Sequence, residues 1–211
     1  MKHLRFILPV LFVFCSAQSG ENARAVLVEY KDEIVEAARG FGISPRLLAS
    51  CIYAEQALNV KPGEDILDVV FAKSGYNASV GIAQIKVQTA EWIERQLQDE
   101  LGPVYLPDRL QALSGNAAKQ TAIVDRLANP ATNLRYAAAY VAMILKAWGP
   151  LFKELHSDEA IVSLVATLYS LGLTRPDGSL RLPHPDARPN RFGLVASEFY
   201  SSFELRAELS K

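Results

Sequence analysis

The sequence predicts an all-α fold, with at most a minor β element. Three observations carry that expectation. Apolar residues recur at helical spacing in most segments, and Gly, Pro, Asn and Ser bound those segments. No run of alternating β-branched residues stands out. The 211 residues, half of them hydrophobic, suit one globular domain with a sizeable core. No internal repeat and no low-complexity segment is evident.

The first 17 residues stand apart from that domain. Lys2, His3 and Arg5 form a basic start, and Phe6 to Cys15 is an apolar run of ten residues. Such a run is short for a bilayer span, and Cys15-Ser16-Ala17 offers small residues at −3 and −1. A signal peptide over 1–17, cleaved after Ala17, is therefore expected, with a periplasmic or secreted protein and no stable membrane insertion afterwards. A lipoprotein at Cys15 fits less well, because bulky Phe14 precedes the cysteine. Loss of Lys2 and Arg5 takes the 22 basic residues to 20, against 23 acidic ones. That balance points away from nucleic acid. Cys51 is then the sole cysteine, so no internal disulfide is expected. With His156 and His184 the only remaining histidines, neither a thiol nucleophile nor a metal site is indicated. No cofactor is expected.

The elements follow in order. Glu21 to Arg39 reads as an amphipathic helix stopped by Gly40. Ser44 to Asn59 reads as the central helix, with Ser44 as N-cap and Pro45 at the first helical position. After Lys61-Pro62-Gly63, Asp65 to Phe71 is one or two helical turns, and Lys73 to Asn77 a polar loop. Val87 to Leu101 is helical. Pro107 to Leu113 is a short helix, and Gly115 to Leu127 another. Asn129-Pro130 opens a long alanine-rich helix to Trp148, ended by Gly149-Pro150. Ser157-Asp158-Glu159 caps a helix through Leu171, which Gly172 ends. Thr174 to Asn190, with four prolines, is a loop or arm, and Phe192 to Leu209 is the last helix.

The central helix carries an anomaly. Leu48, Cys51, Ile52 and Glu55 fall at i, i+3, i+4 and i+7, so an apolar stripe ends in a carboxylate. Partial desolvation raises a carboxyl pKa towards the range of a proton donor. The same spacing also suits a glutamate that only reaches for solvent at the end of a core helix. Downstream, Ser79-Val80-Gly81-Ile82-Ala83-Gln84 follows the polar loop. Asn129-Pro130-Ala131-Thr132-Asn133 opens the helix that carries Tyr140-Val141, and Ala166-Thr167-Leu168-Tyr169-Ser170-Leu171-Gly172 ends another.

These four landmarks, in this order, resemble the soluble lytic transglycosylase branch of the lysozyme-like superfamily over about residues 40–175. That family shows a Glu-Ser pair after a helix, a Gly-x-x-Gln motif, an Asn-Pro-x-x-Asn-Ile helix with a Tyr-Leu pair, and an Ala-x-x-Tyr-Asn-x-Gly motif. The resemblance implies a lysozyme-like domain over 18–211 that cleaves the glycan strand of peptidoglycan, with Glu55 as acid and then base. Gln56, Ser79, Gly81, Gln84, Tyr169 and Ser170 would contact substrate. Gly81 would let backbone approach the ligand, and Tyr169 would aim its hydroxyl at Glu55 or at an N-acetyl group. A structural alternative has Ser79 capping a helix, with Gly81 needed for packing and Tyr169 a core residue. The Asn129–Val141 segment reads as structural, with Ala137, Tyr140, Val141 and Ile144 as a packing stripe.

Three positions depart from the family pattern. Gln56 replaces serine, Ile82-Ala83 replaces Leu-Met, and Ser170 replaces asparagine. Two other functions stay open at this level. One is a lysozyme-type hydrolase using Asp65 or Asp68 as the second carboxylate. The other is a glycan- or protein-binding module without turnover.

Overall fold

The computed structural model describes residues 19–58, 64–101, 116–175 and 177–202. The expected leader and the expected helix at Pro107 to Leu113 lie outside them; the last helix, expected to run to Leu209, ends at Ser201 with extended Ser202 as its C-cap. Residues 19–29 are helical (α1), followed by α2 (Lys31–Gly40), α3 (Pro45–Leu58) and α4 (Glu64–Lys73). Strands β1 (Ser79–Val80) and β2 (Ile85–Lys86) come next, then α5 (Val87–Leu101), α6 (Asn116–Ala128), α7 (Pro130–Phe152), α8 (Asp158–Leu171) and α9 (Arg191–Ser201). The described chain is thus helical with one two-stranded antiparallel sheet, in which Ser79 pairs with Lys86 and Val80 with Ile85. Among the described residues no helix is long and apolar enough to cross a membrane.

Helix α3 sits at the centre. It packs against α2, α7, α8 and α9, and its buried residues run from Leu47 to Ile52 and include Ala54 and Glu55. Small side chains on α7 (Ala137, Ala138, Ala139) let its neighbours approach closely, and Leu134, Val141 and Ile144 fill the space between. Local caps agree with the sequence. The Asn129 side chain accepts from the Thr132 N–H at 3.0 Å, and Ser157 accepts from the Ala160 N–H at 3.1 Å. Gly172, at φ +86°, stops α8. Ser44 accepts from the Leu47 N–H at a long 3.4 Å.

Several sequence expectations are corrected. The helix expected over Glu21 to Arg39 is interrupted at Tyr30, although backbone bonds from Tyr30 to Val26 and from Ile34 to Tyr30 carry across the break. Helix α4 is a full ten residues. Helix α7 continues through Gly149-Pro150 to Phe152. Proline at 150 removes one amide donor near the helix end, a small loss there. Burial of Trp148 and Phe152 holds the last turn against that local stop. Ser79 does not cap a helix; it begins a strand.

Candidate active site

The site begins with a turn. Residues Gly81 to Gln84 join β1 to β2, closed by the Gln84 N–H donating to the Gly81 carbonyl at 2.9 Å. Gly81 takes φ +78° and Gln84 φ +48°. Three helices hold this turn by side chains. From α7, Asn133 Nδ2 donates to the Val80 carbonyl and Oδ1 accepts from the Ala83 N–H, both at 2.8 Å. From α3, Gln56 Nε2 donates to the Ile82 carbonyl at 2.6 Å. From α8, the Tyr169 hydroxyl donates to the Ala83 carbonyl at 2.7 Å. Val80, Ala83 and Asn133 are fully buried, so these bonds leave few polar groups of the turn unpaired in the core.

One face of the clamped turn looks onto an open cleft of about 660 Å³. Glu55, only 7 % exposed, lines it from α3. Ser79 and Gln84 line it from the hairpin, and Tyr169 and Ser170 from α8. Trp92 on α5 and Tyr140 on α7 meet edge to face at 6.2 Å and add an aromatic wall. The Pro-rich arm supplies the remaining edge through Thr174, Arg175 and Arg181. The arm is anchored there: Trp148 Nε1 donates to the Arg181 carbonyl at 2.9 Å, and Arg181 Nε donates to the Gly172 carbonyl at 2.8 Å.

The electrostatics keep the neighbouring groups protonated. Burial pushes the Cys51 thiol up, and the Glu55 charge pushes it further. Tyr169 is likewise raised well above the usual phenol range by burial, with Glu55, Cys51 and Tyr140 adding to it. Burial raises Tyr140 to about 12, against the opposing pull of the Leu173 N–H and of Arg181. A thiolate nucleophile is therefore disfavoured at Cys51. Among the described residues Glu55 is the only carboxylate lining the cleft. A single desolvated carboxyl group beside polar side chains can give a proton and take one back.

Of the seven residues singled out from sequence, five line the cleft: Glu55, Ser79, Gln84, Tyr169 and Ser170. Gln56 does not; its amide is spent on the turn. Gly81 serves packing rather than close approach of a ligand. A Cβ there would lie 2.5 Å from Asn133 Nδ2 and from the Leu127 carbonyl oxygen. The Tyr169 hydroxyl points at the Ala83 carbonyl, not at Glu55, and the Gln84 amide donates to the Gly81 carbonyl at 3.1 Å. Ser170 donates to the Thr167 carbonyl at 3.0 Å and accepts from Asn190 Nδ2 at 2.9 Å. The side chains of Asp65 and Asp68 lie outside the described residues.

Sequence reasoning missed Asn133 as the principal clamp. A signal was present: Asn133 shares the stripe of Ala137, Tyr140, Val141 and Ile144, a polar amide on an apolar face. Trp92, Arg175 and Arg181 had no such signal, since their meeting depends on the path of the chain. Family models, curated proteins and solved structures were compared with the chain, and none matches.

Proposed function

We propose that this protein is a peptidoglycan lytic transglycosylase that cleaves the bond between N-acetylmuramyl and N-acetylglucosaminyl residues. The observation that carries the reading is Glu55, buried at the wall of an open cleft and the only carboxylate among its described lining residues. A neutral carboxyl there protonates the glycosidic oxygen as the bond to the muramyl C1 breaks. The Glu55 carboxylate then takes the proton of the muramyl 6-hydroxyl, whose oxygen bonds to C1. An internal 1,6-anhydro ring closes, no water is consumed, and Glu55 is returned to its starting state. One acid–base residue suffices because the nucleophile belongs to the substrate. The order of motifs shared with soluble lytic transglycosylases supports the same assignment. An inverting hydrolase would need a second carboxylate about 6.5–9.5 Å from the first. The reading includes export through the leader expected at residues 1–17, with the glycan strand as partner.

The test is digestion of purified peptidoglycan by the chain from Gln18 onward, with mass spectrometry of the soluble products. Anhydro-ended fragments are expected from the wild type. Glu55→Gln should lower their rate by about 10²–10⁴-fold with an unchanged circular dichroism spectrum. Reducing ends would move the assignment to a hydrolase and direct mutagenesis to Asp65 and Asp68. Glycan binding without fragments would mark a binding module.

A further inference from the structure

Three cations share the cleft with Glu55: Lys86 from β2, and Arg175 and Arg181 from the arm. None of the three forms an ion pair among the described residues. The Asp177 carboxyl is held below its usual range chiefly by bonds from the Ser179 hydroxyl at 2.7 Å and N–H at 2.9 Å, and to a smaller degree by the Arg175 charge.

The arm presents its two arginines together. Thr174 and Leu180 form an antiparallel bridge. Arg175 N–H donates to the Ser179 carbonyl at 2.8 Å and Arg181 N–H to the Leu173 carbonyl at 2.7 Å. In such a ladder, side chains alternate between faces and opposed residues share one. Arg175 and Arg181 each stand one residue from the bridge, so both belong to the face opposite Thr174 and Leu180. The Nε–H bond from Arg181 to the Gly172 carbonyl fixes one edge of its guanidinium. Its two terminal nitrogens have no bond to a described residue. A guanidinium held in this way is organised in advance for a planar anion.

We propose that Arg175 and Arg181, with Lys86, form a carboxylate-binding wall that selects acid-bearing glycan over neutral β-1,4-linked N-acetylglucosamine. The proposal rests on the reading of the cleft as a glycan site and names the feature of the glycan that it recognises. The carboxylate has two possible sources: the lactyl ether of an unsubstituted muramyl residue, or a peptide stem. The three cations lie on the β2 and arm edges of the cleft, so the acid group belongs there and an uncharged part of the sugar falls at Glu55.

Direct binding to the purified protein tests this, read from tryptophan fluorescence with Trp92 in the cleft. The ligands are strands stripped of stems by an amidase, strands bearing stems, and chitohexaose. Wild type should bind acid-bearing strands about tenfold tighter than chitohexaose at low salt, with the gap narrowing as salt rises. Tight binding of stripped strands assigns the lactyl carboxylate; tight binding of stem-bearing strands alone assigns the stem. R175Q/R181Q should close the gap through lost affinity for the acid-bearing strands. Because Arg181 also anchors the arm, Lys86→Gln and Arg175→Gln are measured separately, and each should narrow the gap severalfold. Equal wild-type affinities, or a gap retained by folded R175Q/R181Q, would overturn the proposal. If anhydro-ended fragments still form in that case, the transglycosylase reading stands alone. Absence of binding to all three ligands would overturn both.

Discussion

Gly81 and Asn133 pack so closely that neither tolerates a larger neighbour. The Asn133 amide spans the turn, with one bond to Val80 and one to Ala83, both at 2.8 Å. Gly81 passes beneath it at φ +78°. Gly81→Ala therefore meets two obstacles, a left-handed backbone and a Cβ against side chain and backbone together. The expected loss is about 2–5 kcal/mol in urea denaturation. A loss below about 1 kcal/mol would show that the turn shifts freely.

Asn133→Ala leaves the buried Ala83 N–H without its side-chain partner and takes one bond from the Val80 carbonyl, which keeps its place in the hairpin ladder with Ile85. The unsatisfied N–H costs about 1–3 kcal/mol and the lost carbonyl bond about 0.5–1.5 kcal/mol, so a total of about 2–4 kcal/mol is expected. Hydrogen exchange at the Ala83 amide should accelerate more than that at helix α8 amides. Equal acceleration everywhere would mean only global destabilisation.

Gln56→Ser tests the glutamine that spans from α3 to the turn. A serine hydroxyl is too short to span the gap that the Gln56 amide bridges to the Ile82 carbonyl at 2.6 Å. Stability should fall by about 1 kcal/mol. Cleavage should be slowed but retained, because Gln56 does not line the cleft. Abolished cleavage in a folded variant would instead make Gln56 a substrate contact.

The buried phenols set an alkaline limit. Tyr140 is raised from 10.0 to about 12, and Tyr136 and Tyr169 are raised in the same direction by burial. The folded state thus holds these protons more tightly than the unfolded chain. The Tyr140 contribution is complete below pH 10.0 and is lost as pH rises through about 12. For Tyr140 the two-unit shift corresponds to about 3 kcal/mol across that window. Urea denaturation between about pH 9 and pH 12 should show the fall, with phenolate absorbance at 295 nm appearing together with unfolding. A flat profile would contradict it.

Cys51 should report on opening of the core. It is fully buried and its thiol is pushed up by burial and by Glu55. In the chain from Gln18 onward, a thiol reagent should label it only at the rate of unfolding. Rapid labelling of native protein would place it at the surface.

Much of the architecture was written in local sequence. Asn129, Ser157 and Gly172 act as stops and caps because their chemistry acts on the adjacent turn of backbone. Glu55 stood out because a carboxylate on an apolar stripe is anomalous wherever the helix packs, and the four ordered motifs proved to surround one turn and its cleft. Where packing competed with a local signal, packing prevailed. Pro150 did not end α7, since burial of Trp148 and Phe152 outweighs one missing amide bond.

The assignment of roles within the site was decided only by tertiary structure. Gln56, Tyr169 and Asn133 lie on three helices, and nothing local to any of them indicates that all three bond the same four-residue turn. Gly81 was legible as a necessary glycine, but whether ligand or Asn133 occupied the space beside it depended on α7. Arg175 and Arg181 carry no motif; their shared face exists because Thr174 pairs with Leu180. Sequence periodicity records which face of an element is buried. It does not record which partner that face meets, because that contact is made across distances in the chain that no local pattern spans.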